Sequence, residues 1–210
     1  MTRTRDMLLA EQALVGLRLR GQQVQAVVTV FADEVRRRSS ADLGAVDSRM
    51  LLTALHDLPV DLPVPQASLD AHTLRTLRTA PPGVVDLGQD ERGVVVRRLV
   101  PAVRVELVLV HGPHGISSRE WDAAVRDGSQ FAPFCARGVV VSRPAPEPEC
   151  TDMDLLILKA RFYGVGVALR ESPESLRWLL EPAPYRPERH SAAQWLFHEQ
   201  AWRQLGPDRF

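Results

Sequence analysis

The sequence predicts an α/β or α+β fold: a helical N-terminal unit, then a mixed β-sheet flanked by helices, then a C-terminal amphipathic helix. Three observations carry this. Apolar residues over 6–57 recur at three- and four-residue steps. Residues 81–170 read as hairpin, long alternating strand, helix, strand, helix, strand. The last segment, from Glu171, carries Trp178, Trp195 and Trp202, and 190–205 has an apolar face.

In the N-terminal segment, Leu14, Leu17, Val24, Val27, Val28, Phe31 and Val35 fall on one face of a helix, or of two helices broken near Gly21. Arg36-Arg37-Arg38 and Ser39-Ser40 end that run. Asp47 or Ser48 suits the cap of a second, short helix holding Met50, Leu51, Leu52 and Leu55. Pro59, Pro63 and Pro65 then impose an extended connector, which sets a helical unit at 1–58.

Residues 67–78 form a further helix marked by Leu69, Leu74 and Leu77 and stopped by Pro81-Pro82-Gly83. Two strands, 83–87 and 93–99, flank the turn residues 88–92. In 103–110, Val103, Val105, Leu107 and Leu109 share one face and Arg104, Glu106, Val108 and Val110 the other. This is the longest alternating run, so it is expected at the centre of one sheet spanning 81–170. Ser117 with Glu120 has capping-box spacing for the next helix. Residues 138–142 are a fully apolar strand of the buried kind. A proline-rich loop leads to Thr151 or Asp152, which opens a helix with Met153, Leu155, Leu156, Leu158 and Phe162. Gly164 ends it, and 165–169 is a final strand. The α/β core is thus 67–170, and 171–210 is a C-terminal helical extension.

A chain of 210 residues is long enough for such a core. Hydrophobic residues make up 45% and charged residues 25%, ordinary for a globular protein. The formal net charge is zero, so any contact with nucleic acid must be a local patch. The cations are arginine-rich: of 26 basic residues, Lys159 is the one lysine. Two cysteines and no apolar leader or membrane-length run point to a cytoplasmic protein with no membrane partner.

The element order over 67–170, with an acid near the hairpin (Asp86, or Asp90 or Glu91) and Glu106 in the long strand, resembles the PD-(D/E)XK nuclease-like core. In that family two such acids hold a divalent cation that activates water and stabilises phosphate charge, and a lysine two residues after the strand acid assists. Carried over, Asp86 and Glu106 are the ligand candidates and Val108 occupies the lysine position. Lys159 is the substitute cation if the site is active, with Mg as its cofactor; otherwise no cofactor or metal is expected.

Two further constellations have functional readings. Arg36, Arg37 and Arg38 with the 47–57 helix suit a helix-turn-helix with a basic edge, or else cations at a solvated helix end. Trp195 and Trp202, about two turns apart, define a helix face that must be buried, on its own domain or by a protein partner or second copy. A zinc set of His111, His114, Cys135 and Cys150 has no usual ligand spacing. The resulting expectation is a non-catalytic, nuclease-like module that serves as a binding or assembly subunit, with nucleic acid as one candidate partner. The alternatives are a DNA-binding regulator using the N-terminal helices and an active metal-dependent nuclease.

Overall fold

The computed structural model describes residues 11–88, 93–112, 118–142, 150–172, 175–186 and 190–206. The fold is α/β: among the described residues are six helices, a six-stranded mixed sheet and a three-stranded sheet. The chain divides into two units. One comprises Met1–Glu11, Thr29–Arg104 and Arg189–Phe210; the other comprises Gln12–Val28 and Val105–Glu188.

The first departure from expectation is at the start. Residues 11–30 are not helical but form strands β1 (Glu11–Leu19) and β2 (Gln22–Val30), neighbours in the six-stranded sheet. Arg20 (φ 51°) and Gly21 (φ 81°) make the two-residue connection, with both residues in the left-handed region that such hairpin turns require. The buried positions Leu17 and Leu19, then Val24, Ala26, Val28 and Val30, alternate by two, whereas Leu14 is exposed. The turn shifts the parity between the strands, and that shift produces the three- and four-residue spacings that mimic a helix. The β-branched run Val27-Val28-Thr29-Val30 favours the strand locally.

The six-stranded sheet continues with β6 (Val103–His111), β7 (Ala136–Ser142), β8 (Gly166–Ser172) and β9 (Ser175–Leu180), in the order β1-β2-β6-β7-β8-β9. Strand β6 is therefore central, as its apolar alternation requires. Parallel pairing joins β6 to β7 and β7 to β8, through α4 (Ser118–Ser129) and α5 (Cys150–Phe162); β9 returns antiparallel. Trp121, Ala124 and Val125 of α4 and Ala160 of α5 pack with Val139, Val141, Val165 and Val167. On the opposite sheet face, Leu109, Val140 and Ala168 pack with Leu107, Leu176 and Trp178. Gly138 and Gly166 are register partners there, and the Trp178 ring occupies the space their missing side chains leave.

The other unit holds α1 (Ala32–Ser40), α2 (Arg49–His56), α3 (Ala71–Arg78) and α6 (Ala192–Leu205), with the small sheet of β3 (Pro63–Pro65), β5 (Val94–Arg97) and β4 (Val85–Leu87) in the order β3-β5-β4. The sequence places the hairpin at 83–99 in one sheet with 103–170; the structure puts β4 and β5 in this separate sheet instead. The short strands β4 and β5 pair with each other and with the proline-bounded β3. Ser48 accepts a hydrogen bond from Leu51 N–H (3.2 Å), Asp70 from His72 and Thr73, and Ser191 from Gln194, which caps three helices. Leu51, Leu52, Leu55, Leu58, Leu77, Val84, Val95, Leu99 and Trp195 form the core between helices and sheet. The capping position proposed at Ser117 lies outside the described residues. No helix among those residues is long and apolar enough to cross a membrane.

Candidate functional site

The nuclease-type residues are not assembled within either unit. Asp86 is exposed on β4 and accepts a hydrogen bond from Arg98 Nε at 2.7 Å. Glu106 is half-buried on β6, in the other sheet and the other unit. Strand β2, which pairs beside β6, carries no carboxylate at all. Val108, at the lysine position, is wholly buried. Lys159 is not a free cation: it forms an ion pair between α5 and Asp122 of α4. Asp90 and Glu91 lie outside the described residues, as does His114. Cys135 is a buried free thiol. Burial pushes its pKa up to about 12, against the Arg137 guanidinium and with a smaller upward push from Glu106, so the thiol is protonated near pH 7.

The arginine triplet does not form a basic edge. Arg36 pairs with Asp33 on the surface of α1. Arg37 forks onto Glu34 (2.7 and 2.7 Å) and donates to the Gly83 carbonyl. Arg38 is wholly buried and forks onto Glu199 of α6, itself wholly buried, with both bonds at 2.7 Å. Arg38 Nε reaches Glu34 at 2.9 Å, and Nη2 the Val100 carbonyl at 2.6 Å. Glu199 also accepts from Val46 N–H (2.9 Å) and Trp195 Nε1 (3.2 Å). Burial disfavours the Arg38 cation, but the Glu199 and Glu34 carboxylates outweigh it and hold its pKa above the ordinary arginine value. Of the triplet only Arg38 reaches α6; Arg36 and Arg37 are engaged by carboxylates of α1 itself. Trp195 and Trp202 are 5% and 2% exposed, so these two rings of the expected aromatic face are buried within the chain itself.

What the first unit does offer is a cavity of about 910 Å³. Phe31 and α1 form one wall, the 97–104 segment another, and a third is made by His190 and Ser191 just before α6 with Gln194, Trp195 and His198 in its N-terminal half. The α6 residues share a face because they sit three or four apart. Five guanidiniums (Arg36, Arg37, Arg97, Arg98 and Arg104) face three carboxylates (Asp33, Glu34 and Asp61). Arg98 bridges Asp61 (2.9 Å) and Asp86. Arg104 lies over the Phe31 ring, 5.8 Å from its centroid. Burial, with the nearby Arg104 and His190 charges, lowers the His198 pKa to about 4, so this imidazole is neutral near pH 7.

Arg97 is the distinctive member. Its Nε donates to the Leu99 carbonyl (2.9 Å) and its Nη1 to the Leu55 and Leu58 carbonyls (3.1 Å each), which fastens the C-terminal end of α2. Its guanidinium stacks on Trp195 at 4.4 Å. Burial lowers its pKa, and no carboxylate pairs with it among the described residues. Sequence reasoning missed this whole constellation except for the Arg36–Arg38 triplet and Trp195. Of its other members, the sequence marks Phe31 as an apolar position of the N-terminal run and Arg104 as a strand residue.

No protein-family model matches the chain, and comparison with curated proteins and with solved structures also returns no match.

Proposed function

We propose that this chain is a cytoplasmic, non-catalytic binding module whose first unit takes a small organic ligand in the cavity walled by α1, the 97–104 segment and α6. The observation that carries the reading is the cavity itself. Its volume lies in the range of small-molecule sites, its walls at Val30, Phe31, Val60, Val100, Pro101 and Trp195 are apolar, and a few fixed charges face into it. The absence of catalytic function is supported by Val108 at the lysine position and by the separate engagements of Asp86 and Lys159. A nucleic-acid role draws no support from the arginine triplet, which is spent on internal carboxylates. The buried thiol of Cys135 supports a reducing compartment.

The test is a fluorescence titration with anilinonaphthalene sulfonate, a small apolar anion, on the native chain. Saturable enhancement that Val60→Trp removes is the expected result, because Val60 lies on the cavity wall and is partly exposed, so an indole there fills the space. Enhancement unchanged by Val60→Trp, or none at all, would overturn the reading.

A further inference from the structure

The charges of the cavity define what kind of small molecule fits it. All three lining carboxylates are already engaged: Asp33 by Arg36, Glu34 by Arg37 and Arg38, and Asp61 by Arg98. Arg97 has no such partner. Three of its five N–H groups are used on backbone carbonyls, and both N–H groups of Nη2 have no acceptor among the described residues. The guanidinium is held on two sides, by the Leu55, Leu58 and Leu99 carbonyls at its edge and by the Trp195 ring on its face. Its remaining donors are therefore aimed before any ligand arrives, which reduces the ordering cost of binding. A partly desolvated cation with neutral partners only is an electrostatic vacancy of one charge.

We propose that the ligand is a small apolar carboxylic acid whose carboxylate is held by Arg97 Nη2 while its body lies along Phe31, Val60, Val100 and Pro101. This rests on the reading of the cavity as the binding site. A carboxylate fits better than a phosphate on the same observations. The Nε–Nη1 edge of Arg97 is committed to carbonyls, so only the two Nη2 protons remain. They diverge on one nitrogen and so offer a single-point, charge-assisted bond to a carboxylate oxygen, whereas a phosphate dianion calls for several converging donors. The N-terminus of the fourteen-residue helix α6, at Ser191 on the cavity wall, adds a weak positive field of the same sign.

The experiment is isothermal titration calorimetry of the intact protein with phenylbutanoate and with phenylbutanol, which share a body and differ in the headgroup. A charge-assisted hydrogen bond of the usual strength predicts roughly tenfold or greater preference for the acid. In Arg97→Gln that preference is expected to vanish while the alcohol still binds. Arg97→Lys is expected to keep part of it. Equal affinity of the wild type for acid and alcohol would overturn the carboxylate proposal while leaving the cavity reading intact. Persistence of the preference in a folded Arg97→Gln protein would overturn the role of Arg97. Binding of neither probe at millimolar concentration would overturn the cavity reading and this inference together. If Arg97→Gln, deprived of its bonds to the end of α2, does not fold, Arg97→Lys carries the test of Arg97: a reduced preference is expected, and one equal to the wild type's would overturn its role.

Discussion

Replacing Arg38 by methionine removes one end of an ion pair in which both side chains are fully shielded from water. The magnitude follows from what Glu199 keeps. Its carboxylate accepts four hydrogen bonds, two from the Arg38 fork, one from Val46 N–H and one from Trp195 Nε1. After Arg38→Met the last two survive, but no cation remains beside a wholly buried carboxylate. Breaking a buried pair from one side costs roughly 3–5 kcal/mol, and the two surviving donors place the expected loss toward the lower end. Glu34 is less affected because Arg37 still forks onto it at 2.7 Å. In the double variant Arg38→Met with Glu199→Leu no charge is stranded; the remaining penalty is the loss of acceptors for Val46 N–H and Trp195 Nε1, about 1–3 kcal/mol each. The two substitutions should therefore be strongly non-additive, with a coupling of about 2 kcal/mol or more. Urea unfolding followed by tryptophan emission, with the slopes compared across the four proteins, measures this. A loss below about 1 kcal/mol for Arg38→Met, or additive single and double losses, would refute the view that this pair holds α1 and α6 together.

Three further outcomes are expected. His198 has a folded pKa of about 4 against 6.5 for the free side chain, so below pH 6.5 the unfolded state takes up the proton first. The stability present above pH 6.5 is then lost as pH falls toward 4, by on the order of 3 kcal/mol; His198→Gln should flatten that window in pH-dependent urea unfolding, and an unchanged slope would count against a buried neutral imidazole. A Cβ at Gly166 would lie 2.7 Å from both the Trp178 ring and the Pro182 backbone nitrogen, so Gly166→Ala should destabilise by about 1–3 kcal/mol, whereas Gly16→Ala, with nothing within 4 Å, should change little in the same melts. Finally, the isolated protein is expected not to cut DNA or RNA with magnesium or manganese, and Val108→Lys, which drives a charge into a fully buried position, should destabilise the sheet rather than create activity; metal-dependent cleavage abolished by Glu106→Ala would reverse that conclusion.

The parts of the fold that were legible in the sequence are those where one local rule acts alone. Val103 to Val110 alternates over eight residues with no competing period, and β6 is a central strand. Ser48, offered with Asp47 as a cap, sits where a side-chain oxygen meets the first free N–H groups of a helix, and α2 begins there. Residues 11–30 failed because two periods fit the same apolar residues. The deciding signal was the turn, and Arg20-Gly21 is not the Asn-Gly or Asp-Gly pair that usually announces one. Strand β9 was missed because its inner face packs Leu176 on the β6–β8 core and lays Trp178 over glycines of β7 and β8, a complementarity that exists only once β7, β8 and β9 are side by side.

The candidate site was hidden for a different reason. Three consecutive arginines share a chemistry in the sequence and have three fates in the structure: Arg36 in a surface pair, Arg37 half-buried against Glu34 and Gly83, and Arg38 in the core against Glu199. What separates them is a hundred-degree rotation per residue about α1 and the position of a carboxylate 161 residues away. A run of cations suggests an open basic patch, yet the internal acids neutralise it. Arg97 and Arg98 are adjacent on or beside β5, and their side chains meet opposite conditions: carboxylates for Arg98, carbonyls and an indole ring for Arg97. Charge count cannot make that distinction, because the net charge of the whole chain is zero and the count says nothing of which guanidinium is left without an anion. Among the cavity-lining arginines with side-chain bonds among the described residues, Arg97 is the one that meets only carbonyls and an indole ring, an environment that exists only when α2, the small sheet and α6 are packed together.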